Sequence, residues 1–378
     1  MHEYANVHDV HYFEVIARHV WGGEMAAQTL ACEGLALAHS RVWRQHGFQS
    51  RVWHPVQAFD LAQGLLMKMP IMRVWACFVG LLLAAALFAQ PAVAANRTMS
   101  INGLNYFVRD SGGDGPVVLM LHGQPDDGSI WDAQAAGLAA AGYRVLVPDL
   151  VGYGRTDRPK KLDRYKTTSV ATDMGRMLDQ LGIKGPVHLV AHDWGVDVAW
   201  DFYYGQPGRT RSMAILAVGY SGAFAKESLS FEHSRWNWFL FLQKLPRAAN
   251  LYRANNGMFL RETLLRSHPH RDAVVAKLLK PGGVEAMLSW DRANSVVDAY
   301  LAAISGAYDK LPKVNVPVLG IAGSDDCFLW PSQVKNTRAY VSGRFEYTEI
   351  KGGSHWMMLD HPQEVTQRLK VWLNSQPR

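Results

Sequence analysis

Residues 187–200 read Val187-His-Leu-Val-Ala-His-Asp-Trp-Gly-Val-Asp-Val-Ala-Trp200, an apolar run that leads into an amphipathic segment. The pattern predicts a buried strand that passes through a tight turn into a helix, with Asp193 at the apex of the turn. Ala191 and Gly195 lie two positions on either side of Asp193, which is the small-x-nucleophile-x-small spacing of a nucleophile elbow. Backbone N–H groups at the start of a helix favour a negative charge, so we expect Asp193 to stay ionised and able to attack.

Two further motifs each follow a predicted strand. Gly323-Ser-Asp-Asp326 comes after an apolar run at 317–322, and Gly352-Gly-Ser-His355 comes after another at 345–350. An isolated Asp193 would more simply cap a helix. An aspartate, an acid and a histidine that all follow strands instead favour a catalytic triad of Asp193, Asp326 and His355. Asp325 is the alternative acid.

Short apolar runs alternate with amphipathic stretches after residue 95, which predicts an α/β fold with a mostly parallel twisted sheet and helices on both faces. An Asn102-Gly103 hairpin is expected within 99–109. Further strands are predicted at 117–121, 144–148, 187–191, 213–218, 317–322 and 345–350. The interval 219–313 interrupts the alternation and predicts an inserted helical cap, which divides the main domain into 95–218 and 314–378.

Composition and charge exclude several classes of protein. The chain has 378 residues, of which 48% are hydrophobic, as in ordinary globular domains. The net charge is +6 without any run of five like charges, so a nucleic-acid partner is not expected. Cys32, Cys77 and Cys327 are too far apart for a CxxC metal site or a disulfide framework.

A targeting signal is predicted at 67–94. Lys68 and Arg73 flank an apolar run at 74–89, and Ala92-Val-Ala94 has the pattern of a cleavage site. We therefore expect an over-called N-terminal extension at 1–66, and an exported, periplasmic or secreted protein with no stable membrane anchor after cleavage. The alternative is a genuine N-terminal segment followed by a membrane anchor.

Residues 99–374 resemble the α/β-hydrolase superfamily, in its aspartate-nucleophile branch of epoxide hydrolases and haloalkane dehalogenases. The resemblance is carried by motifs in family order, namely His122-Gly-Gln-Pro125, Pro148-Asp-Leu-Val-Gly-Tyr-Gly-Arg-Thr-Asp157, His192-Asp-Trp-Gly195, Gly323-Ser-Asp-Asp326 and Gly353-Ser-His-Trp356. It implies that Asp193 is the nucleophile, Asp326 the charge-relay acid and His355 the general base. The backbone N–H groups of Gln124 and Trp194 would form the oxyanion hole. No cofactor or metal is implied.

The expected chemistry is attack of Asp193 on a carbon atom to give an alkyl ester, which water activated by His355 then hydrolyses. An epoxide oxygen needs a proton donor, and the family generally uses two cap tyrosines. Ser289-Trp-Asp-Arg-Ala-Asn294 resembles the stretch that carries one of them, but Asp291 stands in its place, and Trp238 falls about where the other is expected. Tyr220, Tyr300, Tyr308 or a buried, protonated Asp291 are the candidate donors.

A halide, by contrast, needs N–H donors, and Trp194, Trp238 and Gln124 could supply them to a haloalkane dehalogenase. The motifs lie closer to those of epoxide hydrolases, which makes epoxide hydrolysis the leading prediction. The Trp and Phe content of the cap favours a small apolar organic substrate. A catalytically silent hydrolase fold that only binds a ligand is the alternative from another class.

Overall fold

Eight strands form a single sheet in the computed structural model, which describes residues 95–230 and 238–376. The strands are β1 (Ala95–Ile101), β2 (Leu104–Asp110), β3 (Val117–Leu121), β4 (Arg144–Pro148), β5 (Val187–His192), β6 (Thr210–Leu216), β7 (Val318–Gly323) and β8 (Phe345–Ile350). Their order in the sheet is β1-β2-β4-β3-β5-β6-β7-β8. Only β2 pairs antiparallel with its neighbours β1 and β4, so the predicted mostly parallel sheet is confirmed.

The predictions for 1–66 and 67–94 fall outside the described residues. Within the described part of the chain, no helix combines the length and the apolar character needed to cross a membrane.

The strand at 213–218 was predicted wrongly at both ends, because β6 begins at Thr210 and ends at Leu216. Thr210 and Ser212 are polar but buried, and the Ser212 hydroxyl lies 2.8 Å from Nδ1 of His188 in the neighbouring strand. A buried polar group with a hydrogen-bond partner is tolerated in a core, although the hydrophobic pattern does not reveal it. At the other end, Ala217 has a φ of 67° in the left-handed region, where a strand cannot continue.

The hairpin and the other strands lie where the sequence predicts them, to within one residue for every parallel strand except β6. Asn102 and Gly103 both have positive φ, at 50° and 76°, as a two-residue hairpin turn requires.

Helices connect the strands and fill the interval between β6 and β7. The first group is α1 (Asp132–Ala140), α2 (Thr167–Gln180) and α3 (Trp194–Gly205). Between β6 and β7 lie α4 (Ser221–Ser228), α5 (Trp238–Leu242), α6 (Ala248–Phe259), α7 (Arg271–Leu278), α8 (Gly283–Ala293), α9 (Val296–Ile304) and α10 (Ala307–Lys310). The last group is α11 (Pro331–Asn336), α12 (Met357–Asp360) and α13 (Pro362–Asn374).

The centre of the sheet fixes the position of Asp193. All six residues of β5 are buried, and the strand pairs with β3 on one side and β6 on the other. Burying an aliphatic side chain contributes about 1.5–3 kcal/mol, so this strand is held firmly in its register. Asp193 follows at the carboxyl end of β5, the edge at which parallel sheets bind ligands.

Candidate active site

The turn from β5 to α3 has the geometry of the predicted elbow. Asp193 has a φ of 51° and a ψ of −129°, a backbone conformation that non-glycine residues adopt only under strain. A Cβ atom at Gly195 would lie 2.5 Å from the carbonyl oxygen of Leu121, and one at Gly123 would overlap the Asp193 side chain. The turn therefore requires small residues on both sides of the carboxylate.

Backbone N–H groups hold the Asp193 carboxylate. The Gln124 N–H donates to Oδ1 at 2.7 Å, and the nearby N–H of Trp194, at the start of α3, also favours the charged form. Burial acts to raise the pKa of Asp193, but the close approach of His355, the charge of that imidazole and the nearby N–H of Trp194 together lower the pKa below its ordinary value. Asp193 is therefore ionised at neutral pH. The two N–H groups predicted as oxyanion donors are therefore the two that favour the charge on this carboxylate.

His355 lies between two carboxylates. Its Nδ1 is 2.8 Å from Oδ2 of Asp326, and its Nε2 is 3.6 Å from Oδ2 of Asp193. The other oxygen of Asp326 accepts N–H bonds from Phe328 and Leu329 at 2.8 and 3.0 Å. The structure thus brings together Asp193, Asp326 and His355. The alternative acid, Asp325, is exposed and accepts a hydrogen bond from the Ser324 hydroxyl.

The charge on Asp193 controls the proton on His355. Burial lowers the pKa of His355, but the charge of Asp326, its hydrogen bond to the imidazole and the nearby charge of Asp193 outweigh burial and raise the pKa to about 10. His355 is consequently an imidazolium while Asp193 is ionised. Neutralising Asp193 removes part of this stabilisation, so the pKa of His355 must then fall. The imidazole becomes a base only after the carboxylate has lost its charge.

A cavity of about 480 Å³ opens beside these residues. Asp193, Trp194, Gln124 and His355 contribute to its wall. Most of its other lining side chains are apolar and come from the interval between β6 and β7 and from the loop after β7, among them Phe224, Phe239, Leu240, Leu264, Phe328 and Leu329. A cavity of this size and character suits a small organic molecule.

Asp291 lies in α8 and lines the same cavity, although its side chain is only 2% exposed. The side-chain amide of Gln124 donates to Oδ2 of Asp291 at 2.9 Å and to Oε1 of Gln243 at 3.2 Å. The carbonyl oxygen of that amide accepts a hydrogen bond from the Tyr153 hydroxyl at 3.2 Å. Both N–H bonds of the Gln124 amide are therefore already used within the protein.

The other predicted cap residues do not all reach the cavity. Tyr220 is buried beside Trp200 and Tyr340, with its hydroxyl 3.4 Å from that of Tyr204, and it is not among the described residues that line the cavity. The prediction of Tyr220 as a leaving-group residue is corrected for this reason. Trp238 begins α5, but its side chain lies outside the described part of the structure.

Of the remaining candidate tyrosines, Tyr308 lines the cavity, whereas Tyr300 is not among its described lining residues.

Tyr153 and Gln243 were not predicted as site residues. Tyr153 lies between Gly152 and Gly154, which both have positive φ, at 89° and 52°. This conformation turns the tyrosine ring inward to a position 6.2 Å from the Trp290 ring. An aromatic residue between two such glycines was the available signal. Gln243 gave none, because it follows an apolar helix without any motif.

Among the described residues, no group of three or more His, Cys, Asp or Glu side chains is placed to hold a metal ion.

Comparison with known proteins places this geometry in a family. Residues 116–362 match the family described as alpha/beta hydrolase fold. The chain belongs to this family. It is 27% identical over 313 residues to epoxide hydrolase A of Mycobacterium tuberculosis, an alignment that covers 74% of this chain and 97% of that protein. It is 29% identical over 309 residues to epoxide hydrolase 3 of Xenopus tropicalis, covering 76% and 82% of the two chains.

A solved structure supports the same fold. An epoxide hydrolase from Vigna radiata superimposes on this α/β hydrolase with a TM-score of 0.61 at 26% identity, covering 74% of this chain and 98% of that one. The predicted superfamily and the similarity to epoxide hydrolases are confirmed, and with them the prediction of a hydrolase.

Proposed function

We propose that this α/β hydrolase converts epoxides to diols through a covalent ester on Asp193. The observation that supports this most directly is the position of the Asp193 carboxylate, held ionised in a largely apolar cavity with Nε2 of His355 3.6 Å away. The similarity to proteins named epoxide hydrolases points to the same substrate class.

The reaction has two stages. An oxygen of Asp193 attacks a ring carbon, the carbon–oxygen bond of the epoxide breaks, and the ring oxygen takes up a proton to become a hydroxyl group. The ester so formed carries no charge, which lowers the pKa of His355 and lets it release its proton.

In the second stage, neutral His355, oriented by Asp326, takes a proton from water as the water attacks the ester carbonyl. The N–H groups of Gln124 and Trp194 stabilise the oxyanion that develops. Collapse of this intermediate breaks the ester bond, the departing alkoxide takes the proton from His355 and leaves as the diol, and Asp193 remains as a carboxylic acid.

The surroundings of Gln124 favour an epoxide over a halide as the leaving group. A halide would need free N–H donors, but both N–H bonds of the Gln124 amide are used by Gln243 and Asp291. A carboxyl group beside the leaving group would also repel a halide when ionised, whereas it can assist an oxygen when protonated. Haloalkane dehalogenation is therefore the weaker candidate.

A catalytically silent fold is the remaining alternative. A protein that only binds a ligand has no need for a histidine between two carboxylates. His355 nevertheless lies between Asp193 and a hydrogen-bonded Asp326, and this arrangement supports an enzyme.

We also propose that the protein is exported, since 67–94 has the order of charged, apolar and small residues that signal peptides use. N-terminal sequencing of the native protein tests this. A mature chain that begins near residue 95 is expected, and one that retains the apolar run at 74–89 contradicts it.

Trapping the ester tests the proposed chemistry. A His355→Gln variant lacks the base for the second stage, so incubation with styrene oxide should add the mass of the epoxide to the peptide that carries Asp193. An Asp193→Ala substitution in the same background is the control and should give no adduct. The wild-type protein should release the diol.

The outcome also separates the alternatives. An adduct from 1-bromobutane with release of bromide, and none from epoxides, would instead identify a dehalogenase. No adduct from either, with unchanged ligand binding, would support the silent fold.

A further inference from the structure

The cap side of the cavity contains a hydrogen-bond network with two missing partners. Gln124 donates to both Gln243 and Asp291, and it accepts from Tyr153. Within the described residues, Oδ1 of Asp291 and Nε2 of Gln243 are buried without a hydrogen-bond partner. A buried polar atom without a partner costs about 1–3 kcal/mol, and more if it carries charge. The network is therefore incomplete in the protein alone.

The charges around Asp291 indicate which form of its carboxyl group is present. Burial raises the pKa of Asp291 from 3.8 to about 7, and the charge of Asp193 adds to this effect. The hydrogen bond from Gln124 and the positive charge of Lys244 act in the opposite direction. At and below neutral pH a large share of Asp291 is thus a neutral acid.

The titratable groups that face Asp291 come from four separate elements. Asp193 approaches from the elbow, Tyr153 from the loop after β4, Tyr252 from α6, and Lys244 from the end of α5. Both tyrosines have a pKa raised well above 10, first by burial, so they stay neutral when Asp291 titrates. The Lys244 ammonium donates to the backbone oxygen of Asp291 at 3.1 Å and leaves the carboxyl group without an ion-pair partner among the described residues.

Gln124 places the Asp291 carboxyl group at the same end of the cavity as the nucleophile. Its backbone N–H binds Oδ1 of Asp193, and its side-chain amide binds Oδ2 of Asp291. The two carboxyl groups are thus bridged by a single residue, and both belong to side chains that line the cavity. A ligand oxygen at this end is the partner that the protein does not itself supply to Asp291.

We propose that Asp291 is the general acid of the reaction and donates its proton to the epoxide oxygen as the ring opens. This inference rests on the proposed function and names the proton donor that the cap contributes to it. Gln124 acts as a positioning residue, because its amide holds Oδ2 and leaves Oδ1 for the proton.

The proton balance closes over one turnover. Asp193 forms a bond to carbon, the electron pair of the broken carbon–oxygen bond goes to the ring oxygen, and the proton of Asp291 converts that oxygen to a hydroxyl group. Hydrolysis of the ester by water regenerates Asp193 as an acid, which gives its proton to His355, and the proton that His355 released to solvent after ester formation replaces the one that Asp291 gave up. The net change is epoxide plus water to diol.

The test measures the rate of adduct formation on Asp193 in the His355→Gln background. That background traps the ester and also removes the imidazolium, the other acid beside Asp193. With styrene oxide, Asp291→Asn should lower the rate about 100-fold or more, because general acid catalysis contributes roughly 10²–10⁴-fold. Asp291→Glu restores a carboxyl group and should recover a large part of the rate.

Glu285→Gln is the matched control. Glu285 lies on the same helix, is exposed and pairs with Arg253 outside the cavity, so its removal should leave the rate unchanged. Thermal unfolding of each variant checks that the fold is retained.

The pH profile distinguishes an acid from a merely structural group. With Asp291 present, the rate of adduct formation should fall as pH rises through about 7, because the deprotonated group has no proton to give. Asp291→Asn should abolish this decrease. If Asp291→Asn forms the adduct at an unchanged rate, or the protein with Asp291 shows a flat profile between about pH 6 and 9, Asp291 is not the acid.

The proposed function fails separately from this inference. No adduct on Asp193 in the His355→Gln protein would overturn the function itself, whereas an adduct that forms equally fast without Asp291 would overturn only the inference.

Discussion

Asp193 and Asp291 line the same cavity, yet the elbow and the cap surround their carboxyl groups in opposite ways. Asp193 receives a backbone N–H bond from Gln124, lies beside the N–H of Trp194 and faces His355, and its pKa is lowered. Asp291 receives one side-chain bond, from Gln124, and burial raises its pKa to about 7. One fold therefore holds a carboxylate and a carboxylic acid at the two ends of a single glutamine.

The difference shows how chemically identical groups acquire different roles. Fixed N–H donors and a cationic neighbour favour a carboxylate that attacks, whereas enclosure without enough donors favours an acid that releases a proton. The N–H groups that favour the charge on Asp193 belong to the backbone after strands β3 and β5, so their positions are set by the sheet. The donor to Asp291 is instead the side chain of Gln124, which reaches from the loop after β3 to the cap, so the state of Asp291 depends on how the cap helices pack against that loop.

The strongest test of the elbow side compares two adjacent acids. Asp326→Asn should lower the rate of ester hydrolysis by roughly 10²–10⁴-fold, because His355 loses the carboxylate that orients it and stabilises its charge. Asp325→Asn removes an exposed carboxylate one residue away and should change the rate little. Single-turnover kinetics with styrene oxide, which follow the decay of the ester on Asp193, measure the rate of hydrolysis in both variants. Equal losses in the two variants would contradict the assignment of Asp326.

Filling the space beside Asp193 is expected to have the next largest effect on the rate. Gly123→Ala should lower the rate of ester formation about 100-fold, since its Cβ would overlap the Asp193 side chain and displace the carboxylate from its position. Gly185→Ala is the matched control, because no atom lies within 4 Å of the position its Cβ would take. The measurement is the pre-steady-state rate of both variants. An unimpaired Gly123→Ala protein would show that the elbow can adjust.

The pH dependence of the free energy of unfolding tests the protonation of Asp291 on the cap side. The folded-state pKa of Asp291, about 7, lies above its ordinary value of 3.8, so the folded protein binds the proton more tightly than the unfolded chain. This contribution to stability is complete below about pH 4 and is lost as pH rises to about 7. Asp291→Asn removes the effect. Its free energy of unfolding relative to wild type should therefore rise between pH 4 and 7, by at most about 1.4 kcal/mol per pH unit.

Denaturant unfolding at several pH values measures that difference. Glu285→Gln again provides the control, because its pKa is lowered by a hydrogen bond to Arg253 and shifts stability in the opposite direction. A difference between Asp291→Asn and wild type that does not change with pH would contradict a protonated Asp291.

The smallest effect is expected at Tyr153. Tyr153→Phe removes the hydroxyl that binds Oε1 of Gln124 but keeps the ring stacked beside Trp290. The amide of Gln124 keeps its bonds to Gln243 and Asp291, so we expect the rate of ester formation to fall by only a few-fold, consistent with the roughly 1 kcal/mol of one hydrogen bond. The rate of ester formation, measured at a single pH below 7, tests this. A loss beyond about 30-fold would point to a direct role for Tyr153.

The elbow side could be predicted from the sequence and the cap side only in part. Asp193, Asp326 and His355 each follow a parallel strand of the sheet, and parallel strands bring their carboxyl ends to one edge. The bonds of Gln124 to Tyr153, Gln243 and Asp291 join four distant segments of chain, and no local pattern encodes them. Tyr220 was misplaced for the same reason, since an aromatic cluster holds it away from the cavity.

The left-handed backbone of Asp193 has a consequence for engineering the protein. This conformation costs a non-glycine residue of order 1–3 kcal/mol, and the fold tolerates that cost where the proposed nucleophile projects. Replacing Asp193 with glycine would relieve the strain but remove the attacking carboxylate. The inactive variant is therefore expected to unfold at a higher temperature than the wild-type protein. Selecting variants for heat resistance alone would then favour those that have lost activity. A library of variants screened in that way therefore needs a simultaneous assay for the product.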